Sequence, residues 1–222
     1  MREMTQTVAI FGGSSVLDVS FLPKLKESLF TIACDSGYLH FLKAKIEPDL
    51  LVGDFDTLDQ SVIRNPGMII KLNPIKDDTD VFWAVKYALD HGVTRIELYG
   101  CLGQKLDHTI GNIQILSYLK DQGIQGYLYT PDNENVAFIL ENESLTFKPN
   151  STGRLSVFSY NGKALGVSET NLKYTLDHQE LSNSVPLGVS NEFIPQNPHP
   201  ATVSVENGRL LIVAPRSSLN EK

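Results

Sequence analysis

The sequence contains no long apolar segment and few cysteines. No apolar run approaches the roughly 20 residues that cross a bilayer, and the start, Met1 to Gln6, lacks the apolar segment of a signal peptide. We therefore expect a cytoplasmic protein with no membrane partner. Two cysteines, Cys34 and Cys101, lie far apart and form no Cys-x-x-Cys motif, which favours reduced thiols over a disulfide or a zinc site.

Positive charge is also scarce. The formal net charge is −7 over 222 residues, and no segment is rich in Lys and Arg. Because a nucleic-acid backbone is bound by a basic surface, we expect no nucleic-acid partner. The hydrophobic content of 41% is ordinary for a globular core, and the excess of acid instead suits metal ions.

Short apolar segments, several followed by glycine or aspartate, occupy the first half of the chain. They are too short for helices and alternate with helical patterns, so they predict the strands of a parallel α/β sheet. The predicted strands are Thr7–Phe11, Phe30–Ala33, Leu50–Val52, Met68–Leu72 and Arg95–Tyr99. The first ends in Gly12-Gly13-Ser14-Ser15, a turn whose backbone N–H groups could face an anion.

A helix-like segment follows Cys34-Asp35-Ser36-Gly37 and ends at about Ala44, and the spacing of apolar residues predicts two further helices. One helix begins at Asp77-Asp78-Thr79-Asp80, with Asp or Thr as its N-cap, and ends at His91-Gly92. Its apolar stripe consists of Val81, Ala84, Val85 and Ala88. The other helix carries Asp107-His108 in its first turn, and its predicted apolar face consists of Leu106, Ile110, Ile113 and Ser117.

The residue pattern of the sequence changes at about Val136, where short β-rich segments are separated by Gly, Pro and Asn. The predicted strands there are Ser144–Phe147, Leu155–Tyr160, Thr202–Val205 and Leu210–Val213. Between the last two, Glu206-Asn207-Gly208-Arg209 predicts a hairpin with a two-residue turn. We therefore divide the chain into an α/β domain at residues 1–135 and a small all-β domain, a sandwich or barrel, at residues 136–222.

Aspartates stand at four predicted junctions between a strand and the next helix. They are Asp35; Asp54 with Asp56; Asp77, Asp78 and Asp80; and Asp107. The carboxyl ends of parallel strands open on one edge of the sheet, where ligands bind. A single Asp often caps a helix, but capping explains neither Asp54 with Asp56 nor Asp77 with Asp80. Carboxylates crowded in a cleft favour a bound cation such as Mg²⁺.

This arrangement favours phosphoryl or pyrophosphoryl transfer, which depends on positioning and on charge neutralisation by Mg²⁺. Lys76, Lys105 and His108 stand beside the acids in the sequence and could contact phosphate oxygens. Gly100 and Gly103 would let a nucleotide approach the backbone. A solvated Lys76 and a His108 that merely hydrogen-bonds a neighbour remain open alternatives.

Three ordered motifs resemble the signature blocks of the thiamine pyrophosphokinase family. They are Pro48-Asp49-Leu50-Leu51-Val52-Gly53-Asp54-Phe55-Asp56-Thr57, Lys76-Asp77-Asp78-Thr79-Asp80 and Gly100-Cys101-Leu102-Gly103-Gln104-Lys105-Leu106-Asp107-His108. Further similar segments are Cys34-Asp35-Ser36-Gly37, Asn171-Leu172-Lys173-Tyr174-Thr175-Leu176 and Gly188-Val189-Ser190-Asn191-Glu192. The resemblance implies an α/β domain followed by a β-sandwich domain. It also implies a homodimer, with thiamine between the α/β domain of one subunit and the β domain of the other.

The resemblance also implies a reaction and a role for individual residues. The hydroxyl of thiamine would attack the β-phosphorus of ATP, giving thiamine diphosphate and AMP. The implied Mg²⁺ ligands are Asp54, Asp56 and Asp80. The implied catalytic acids are Asp77, Asp80 and Asp107, with Asp80 or Asp107 as the candidate base. The implied ligand-binding residues are Asp35, Lys76, Thr79, Gly103 and His108 toward ATP, and Tyr174, Ser190 and Asn191 toward thiamine. Tyr174 replaces a tryptophan that stacks on the substrate in the family.

Two other functions remain open at this point. The segment Asp54-Phe55-Asp56-Thr57 also resembles the Asp-x-Asp motif of haloacid-dehalogenase-type phosphatases, in which Asp54 would be phosphorylated. That motif normally follows the first strand, whereas here at least two predicted strands precede it. The second alternative is a non-catalytic protein whose acids hold Mg²⁺–ATP without turnover.

Overall fold

The computed structural model describes residues 3–14, 17–103 and 105–220. Ser15 of the predicted glycine turn and Gln104 of the third motif therefore lie outside the described residues. The chain divides into two units, Met1–Asn133 and Glu134–Lys222. Among the described residues, no helix has both the length and the apolar character needed to cross a membrane.

The described residues of the first unit form six parallel strands and four α-helices. In chain order the strands are β1 (Thr7–Phe11), β2 (Phe30–Cys34), β3 (Leu50–Gly53), β4 (Ile69–Lys71), β5 (Arg95–Tyr99) and β6 (Gln125–Tyr129). The helices are α1 (Leu22–Ser28), α2 (Tyr38–Ala44), α3 (Asp80–Asp90) and α4 (Leu106–Asp121). Strands β2 and β3 are buried along their whole length, as expected of parallel strands covered on both faces.

The strand order of the first unit is β4-β3-β2-β1-β5-β6, and its strand pairs are parallel. From β1 the chain moves outward through β2, β3 and β4, and then returns to the other side of β1 with β5. The order of the strands thus reverses between β1 and β5. In an open α/β sheet such a reversal opens a crevice at the carboxyl ends of the two strands.

Helix α3 follows its sequence pattern more closely than α4 does. Thr79 is the N-cap of α3, and the helix buries Ala84, Val85 and Ala88. The face predicted for α4 is wrong at its first turns, because Leu106 and Ile110 are 72% and 51% exposed. Instead α4 buries a face that begins at a polar residue and consists of Asn112, Ile115, Leu116, Ser117 and Leu119.

The second unit is built from antiparallel strands. They are β7 (Asn135–Glu141), β8 (Ser144–Thr146), β9 (Arg154–Thr170), β10 (Leu176–Ser182), β11 (Asn191–Glu192), β12 (Thr202–Ser204) and β13 (Asn207–Pro215). The 17-residue β9 pairs with β10, β11, β12 and β13. The second unit is therefore organised around one long strand that the sequence predicted only in part, as Leu155–Tyr160.

The predicted hairpin at Glu206-Asn207-Gly208-Arg209 is wrong. Strands β12 and β13 follow one another in the chain but do not pair with each other; both pair antiparallel with β9, β12 at residues 168–170 and β13 from Leu165 toward residue 156. Glu206 donates its backbone N–H to the carbonyl of Leu165 on β9, at 3.1 Å. Because both strands run antiparallel to β9 and their registers continue along it, the chain keeps its direction at Glu206, and the predicted reversal is absent. The partner of both strands comes from a distant part of the chain.

Candidate active site

A cleft of about 830 Å³ opens at the carboxyl edge of the parallel sheet in the first unit. The turns after β1, β2, β3 and β5 and the first turns of α3 and α4 line it. Among its lining residues are nine that the sequence assigned to the site: Asp35, Asp54, Asp56, Asp77, Thr79, Asp80, Gly103, Asp107 and His108. The structure thus brings together residues from four separate sequence motifs.

Two glycine turns meet at the crevice between β1 and β5. Gly12 donates its backbone N–H to the carbonyl of Tyr99 at 2.8 Å, and Ser14 donates to the carbonyl of Gly100 at 2.9 Å. A Cβ on Gly12 would lie 2.8 Å from the oxygen of Gly100, and Gly100 has a φ of +60°. Both positions therefore require glycine. Behind them the buried ring of His40 contacts the carbonyl oxygen of Gly12 through Nε2 at 3.0 Å.

Three carboxylates from the turns after β2 and β3 form an acidic cluster. One oxygen each of Asp35, Asp54 and Asp56 lies within 4.8 Å of the other two. Asp35 is 8% exposed and has a φ of +48°. Its Oδ2 accepts a hydrogen bond from Thr57, whereas its Oδ1 is buried without a hydrogen-bond partner among the described residues. A buried, unpaired carboxylate oxygen beside two further carboxylates is suited to a cation.

Lys76 connects this cluster to α3. Its Nζ lies 2.9 Å from Oδ2 of Asp54 and 3.0 Å from Oδ1 of Asp80. The hydrogen bond from Lys76 lowers the pKa of Asp54. The pKa of Asp80 is raised, because burial opposes its charged form more strongly than Lys76 favours it. The two carboxylates thus differ in proton affinity although they share one lysine.

Of Asp77 and Asp80, which the sequence placed together at the start of this helix, Asp80 lies in α3 and Asp77 does not. The helix begins at Asp80, and Thr79 caps it by accepting the N–H of Phe82 at 3.2 Å. Asp77 therefore precedes the helix and lies in a loop, rather than one turn away on the same helix. Asp78 forms an ion pair with Lys86. Of these residues, only Asp80 contacts Lys76.

Asp107 and His108 lie at the first turn of α4 and are exposed. Oδ1 of Asp107 accepts the backbone N–H of His108 at 2.9 Å, and neither side chain belongs to the acidic cluster. Just before the helix, Gly103 has a φ of +152° and donates its N–H to Oγ1 of Thr109 at 3.4 Å. These residues also line the cleft.

The residues assigned to thiamine lie in the second unit. Tyr174 is 60% exposed, and Ser190 is exposed with a φ of +61°. Asn191, in contrast, is 5% exposed and is hydrogen-bonded to both the N–H and the carbonyl of Tyr174. The structure brings Tyr174 and Asn191 into direct contact, although 16 residues separate them in the sequence.

Three buried polar residues near these sites were missed. Asn112 donates through Nδ2 to the carbonyl of Cys101 at 2.7 Å, and Glu169 accepts from Asn191 at 2.6 Å. His40 is the third. Asn112 could have been noticed as a polar residue on an otherwise apolar helix face, but a strand residue such as Glu169 has no comparable local signal. Cys34 and Cys101 are free and buried at the base of the cleft.

Two family models match successive parts of the chain. Residues 22–128 match the thiamin pyrophosphokinase catalytic domain, and residues 143–210 match the thiamin pyrophosphokinase vitamin B1 binding domain. The chain belongs to the thiamin pyrophosphokinase family. This is a family of ATP-dependent pyrophosphotransferases, with a catalytic domain rich in sheet and a second, β-rich domain.

Individual relatives agree with the thiamin pyrophosphokinase models. The chain is 26% identical over 211 residues to the thiamine pyrophosphokinase of Bacillus subtilis (strain 168), covering 92% of this chain and 95% of the relative. A crystal structure of thiamine pyrophosphokinase from Bacillus subtilis matches with a TM-score of 0.81 at 24% identity. The match covers 97% of this chain and 100% of the crystallised chain. The structure of thiamin pyrophosphokinase from Candida albicans has a TM-score of 0.76 at 14% identity, over 94% and 88%.

The comparisons support neither alternative function. Both matching models describe domains of a thiamin pyrophosphokinase, not of a phosphatase or a nucleotide sensor. The position of Asp54-Phe55-Asp56 agrees with this, because it follows the third strand of the chain rather than the first.

Proposed function

We propose that this protein transfers the pyrophosphoryl group of ATP to the hydroxyl of thiamine, giving thiamine diphosphate and AMP. The observation that carries the proposal is the presence of both thiamin pyrophosphokinase domains in one chain, in which the catalytic domain contains a cleft lined by acids. The cleft lies at the reversal of strand order, where an open α/β sheet binds nucleotides.

Mg²⁺ is the proposed cation of the acidic cluster. The buried and unpaired Oδ1 of Asp35, next to Asp54 and Asp56, is a set of hard oxygen donors that fits such an ion. Asp54 and Asp56 are ligands predicted from the sequence, and we now propose Asp35 as the third. Asp80, also predicted as a ligand, stays a prediction, because the cluster formed by Asp35, Asp54 and Asp56 does not include it. When bound, the ion would neutralise charge on the phosphates.

The proposed ATP site uses backbone groups and helix ends rather than a basic surface. The turns that contain Gly12, Gly100 and Gly103 allow a phosphate to approach the backbone closely. The N-terminus of α4, which begins at Leu106, adds partial positive charge on the same side. Lys105 precedes that helix and lines the cleft, so its ammonium group can pair with a phosphate oxygen.

We propose Asp80 rather than Asp107 as the base that accepts the proton of the attacking hydroxyl. Burial raises the pKa of Asp80, and a carboxylate with a raised pKa is a stronger base. Asp107 is exposed and already accepts the N–H of His108. Asp77, in the loop before α3, is proposed to complete the negative lining without accepting the proton.

The finer features implied by the family are proposals as well. We propose a cytoplasmic homodimer in which thiamine binds between the catalytic domain of one subunit and the β-sandwich domain of the other, near Tyr174 and Ser190. Exposed apolar side chains on each unit support this proposal, because they could be covered in a dimer. They include Leu106 and Ile110 in the first unit, and Val185, Leu187 and Val189 in the second.

The decisive experiment is a chromatographic assay for AMP in mixtures of the protein with ATP, with and without thiamine and Mg²⁺. We expect AMP and thiamine diphosphate only when thiamine and Mg²⁺ are both present. ATP binding without AMP would instead support the non-catalytic alternative. Phosphate release from a general phosphate ester, with no thiamine diphosphate, would support the phosphatase.

A further inference from the structure

The side-chain amide of Asn191 has all its hydrogen-bonding capacity used within the protein. Its Nδ2 donates to Oε2 of Glu169 at 2.6 Å and to the carbonyl of Tyr174 at 2.7 Å. Its Oδ1 accepts the N–H of Tyr174 at 3.1 Å and that of Glu192 at 2.8 Å. An amide offers two donors and two acceptor lone pairs, so no polar position of Asn191 is left for a substrate.

Glu169 determines which way this amide points. It lies on β9, is 2% exposed, and has one oxygen that accepts from Asn191 while the other is buried without a partner among the described residues. If the amide of Asn191 were rotated by 180°, its oxygen would face Glu169 and its NH₂ group would face two backbone N–H donors. The buried carboxyl of Glu169 and these two backbone N–H groups together therefore fix one orientation of the amide.

In this orientation the amide of Asn191 holds the backbone of Tyr174. Asn191 binds both polar groups of Tyr174, and the neighbouring Lys173 donates its N–H to the carbonyl of Glu192 at 3.0 Å. The ring of Tyr174 is largely exposed, with the ammonium of Lys173 5.5 Å from its centroid. Because packing contributes little at an exposed ring, the direction of the ring depends on the backbone that carries it.

We infer that Glu169 and Asn191 are positioning residues that hold the Tyr174 backbone, and with it the aromatic ring offered to thiamine, and that neither touches the substrate. This inference rests on the proposed function and changes one part of it. Asn191 was predicted to bind thiamine itself, whereas the contacts assign it to the support of Tyr174. The ring of Tyr174 then becomes the thiamine-contacting group of this pair.

The first test is a double-mutant cycle on the thiamine KM, with Asn191→Asp, Tyr174→Ala and the double variant. Asn191→Asp has nearly the same shape but replaces both donors with an acceptor, and we expect the thiamine KM to rise about tenfold. The KM for ATP should stay within about twofold. In the Tyr174→Ala background the same change should add little, because its effect passes through the ring.

Glu169 is tested with Glu169→Gln and Glu169→Leu. The glutamine carbonyl can still accept from Asn191, so we expect a thiamine KM within about threefold of wild type, whereas the leucine variant should resemble Asn191→Asp. Combining Asn191→Asp with Glu169→Gln exchanges donor and acceptor across the contact, and should recover part of the loss. If Glu169→Leu does not fold, the glutamine and combined variants still decide the question.

Hydrogen exchange at the amide of Tyr174 gives a readout that needs no activity. We expect faster exchange in Asn191→Leu than in wild type, because this variant removes the Oδ1 that accepts the N–H of Tyr174. An Asn191→Asp effect that persists in full without the Tyr174 ring would overturn the inference in favour of direct contact with thiamine. An unchanged thiamine KM in Asn191→Asp together with unchanged exchange in Asn191→Leu would also overturn it. Failure of the proposed function appears separately, as wild-type protein that forms no AMP from ATP and thiamine.

Discussion

Gly53 lies directly against Asp35: a Cβ at position 53 would be 3.1 Å from both Cα and Cβ of Asp35. The last residue of β3 thus sets the space available to the most buried member of the acidic cluster. We expect Gly53→Ala to displace Asp35 and to lower kcat/KM at limiting Mg²⁺ by about tenfold or more. Part of this loss should be recovered at high Mg²⁺, as measured by titrating the metal in the AMP assay.

Gly67→Ala provides a matched control for this substitution. Its Cβ would lie 2.6 Å from the backbone oxygen of Asp49, so it introduces a comparable clash away from the cluster. We expect it to lower the unfolding temperature without changing the Mg²⁺ concentration required for half-maximal rate. If Gly53→Ala and Gly67→Ala reached half-maximal rate at the same Mg²⁺ concentration, Gly53 would matter only for stability.

Asp56 is exposed and contributes one carboxylate to the cluster. Because it is not buried, Asp56→Asn should fold normally, but loss of one anionic ligand should lower kcat/KM by about 100-fold or more. Far-UV circular dichroism checks that the variant folds, and the AMP assay measures its kcat/KM. Asp59→Asn is the control, since Asp59 is exposed and accepts the N–H of Ser61 instead. Near-normal turnover in Asp56→Asn would contradict the assignment of this carboxylate to the metal.

The shared lysine predicts a pH effect. Lys76 lowers the pKa of Asp54 and opposes the burial that raises the pKa of Asp80. In Lys76→Met both carboxylates lose this partner, and their pKa values should rise. Since the proposed base must be ionised, the acid limb of the pH–rate profile should move upward by about one pH unit or more.

The same substitution should reduce stability by different amounts at the two ends of the pH range. Asp54 has a lowered pKa in the folded state, so its pairing stabilises the fold above its usual value of 3.8 and is lost as pH falls. Lys76→Met should therefore lower the free energy of unfolding more at pH 7 than near pH 3, as measured by urea titration. Lys86→Met, which removes the lysine paired with Asp78, is the control for the pH–rate measurement. The acid limb of its pH–rate profile should match that of wild type.

The features that could be predicted from the sequence are the local ones. Strands Thr7–Phe11 and Arg95–Tyr99 are confirmed with the same bounds. A short apolar run followed by glycine can be recognised as a strand from its local sequence alone. Aspartates at the ends of such runs must meet when the strands are parallel, and so the cleft could be predicted as well. Thr79, one of the two cap types predicted for α3, is confirmed as the N-cap.

The features that were wrong or missed depend on distant parts of the chain. The hairpin predicted at Asn207-Gly208 is replaced by pairing with β9, whose partners the local sequence does not specify. Asn112 is buried because the carbonyl of Cys101 needs a donor there. Glu169 is buried because Asn191, 22 residues later, supplies one. A buried polar residue is understood only when its partner is known.

The last prediction concerns the ring of Tyr174, which the resemblance of the segment 171–176 implies stands where the family has a tryptophan. If the ring stacks on thiamine, Tyr174→Phe should keep the thiamine KM within about twofold, because the phenol hydroxyl is not needed for stacking. Tyr174→Ala should raise that KM about tenfold, and Tyr174→Trp should not raise it, since a larger ring offers at least as much contact area. Ile194→Ala is the control, as it removes a side chain that is 40% exposed and should leave the thiamine KM unchanged. A Phe variant as impaired as the Ala variant would show that the hydroxyl, and not the ring face, binds the substrate.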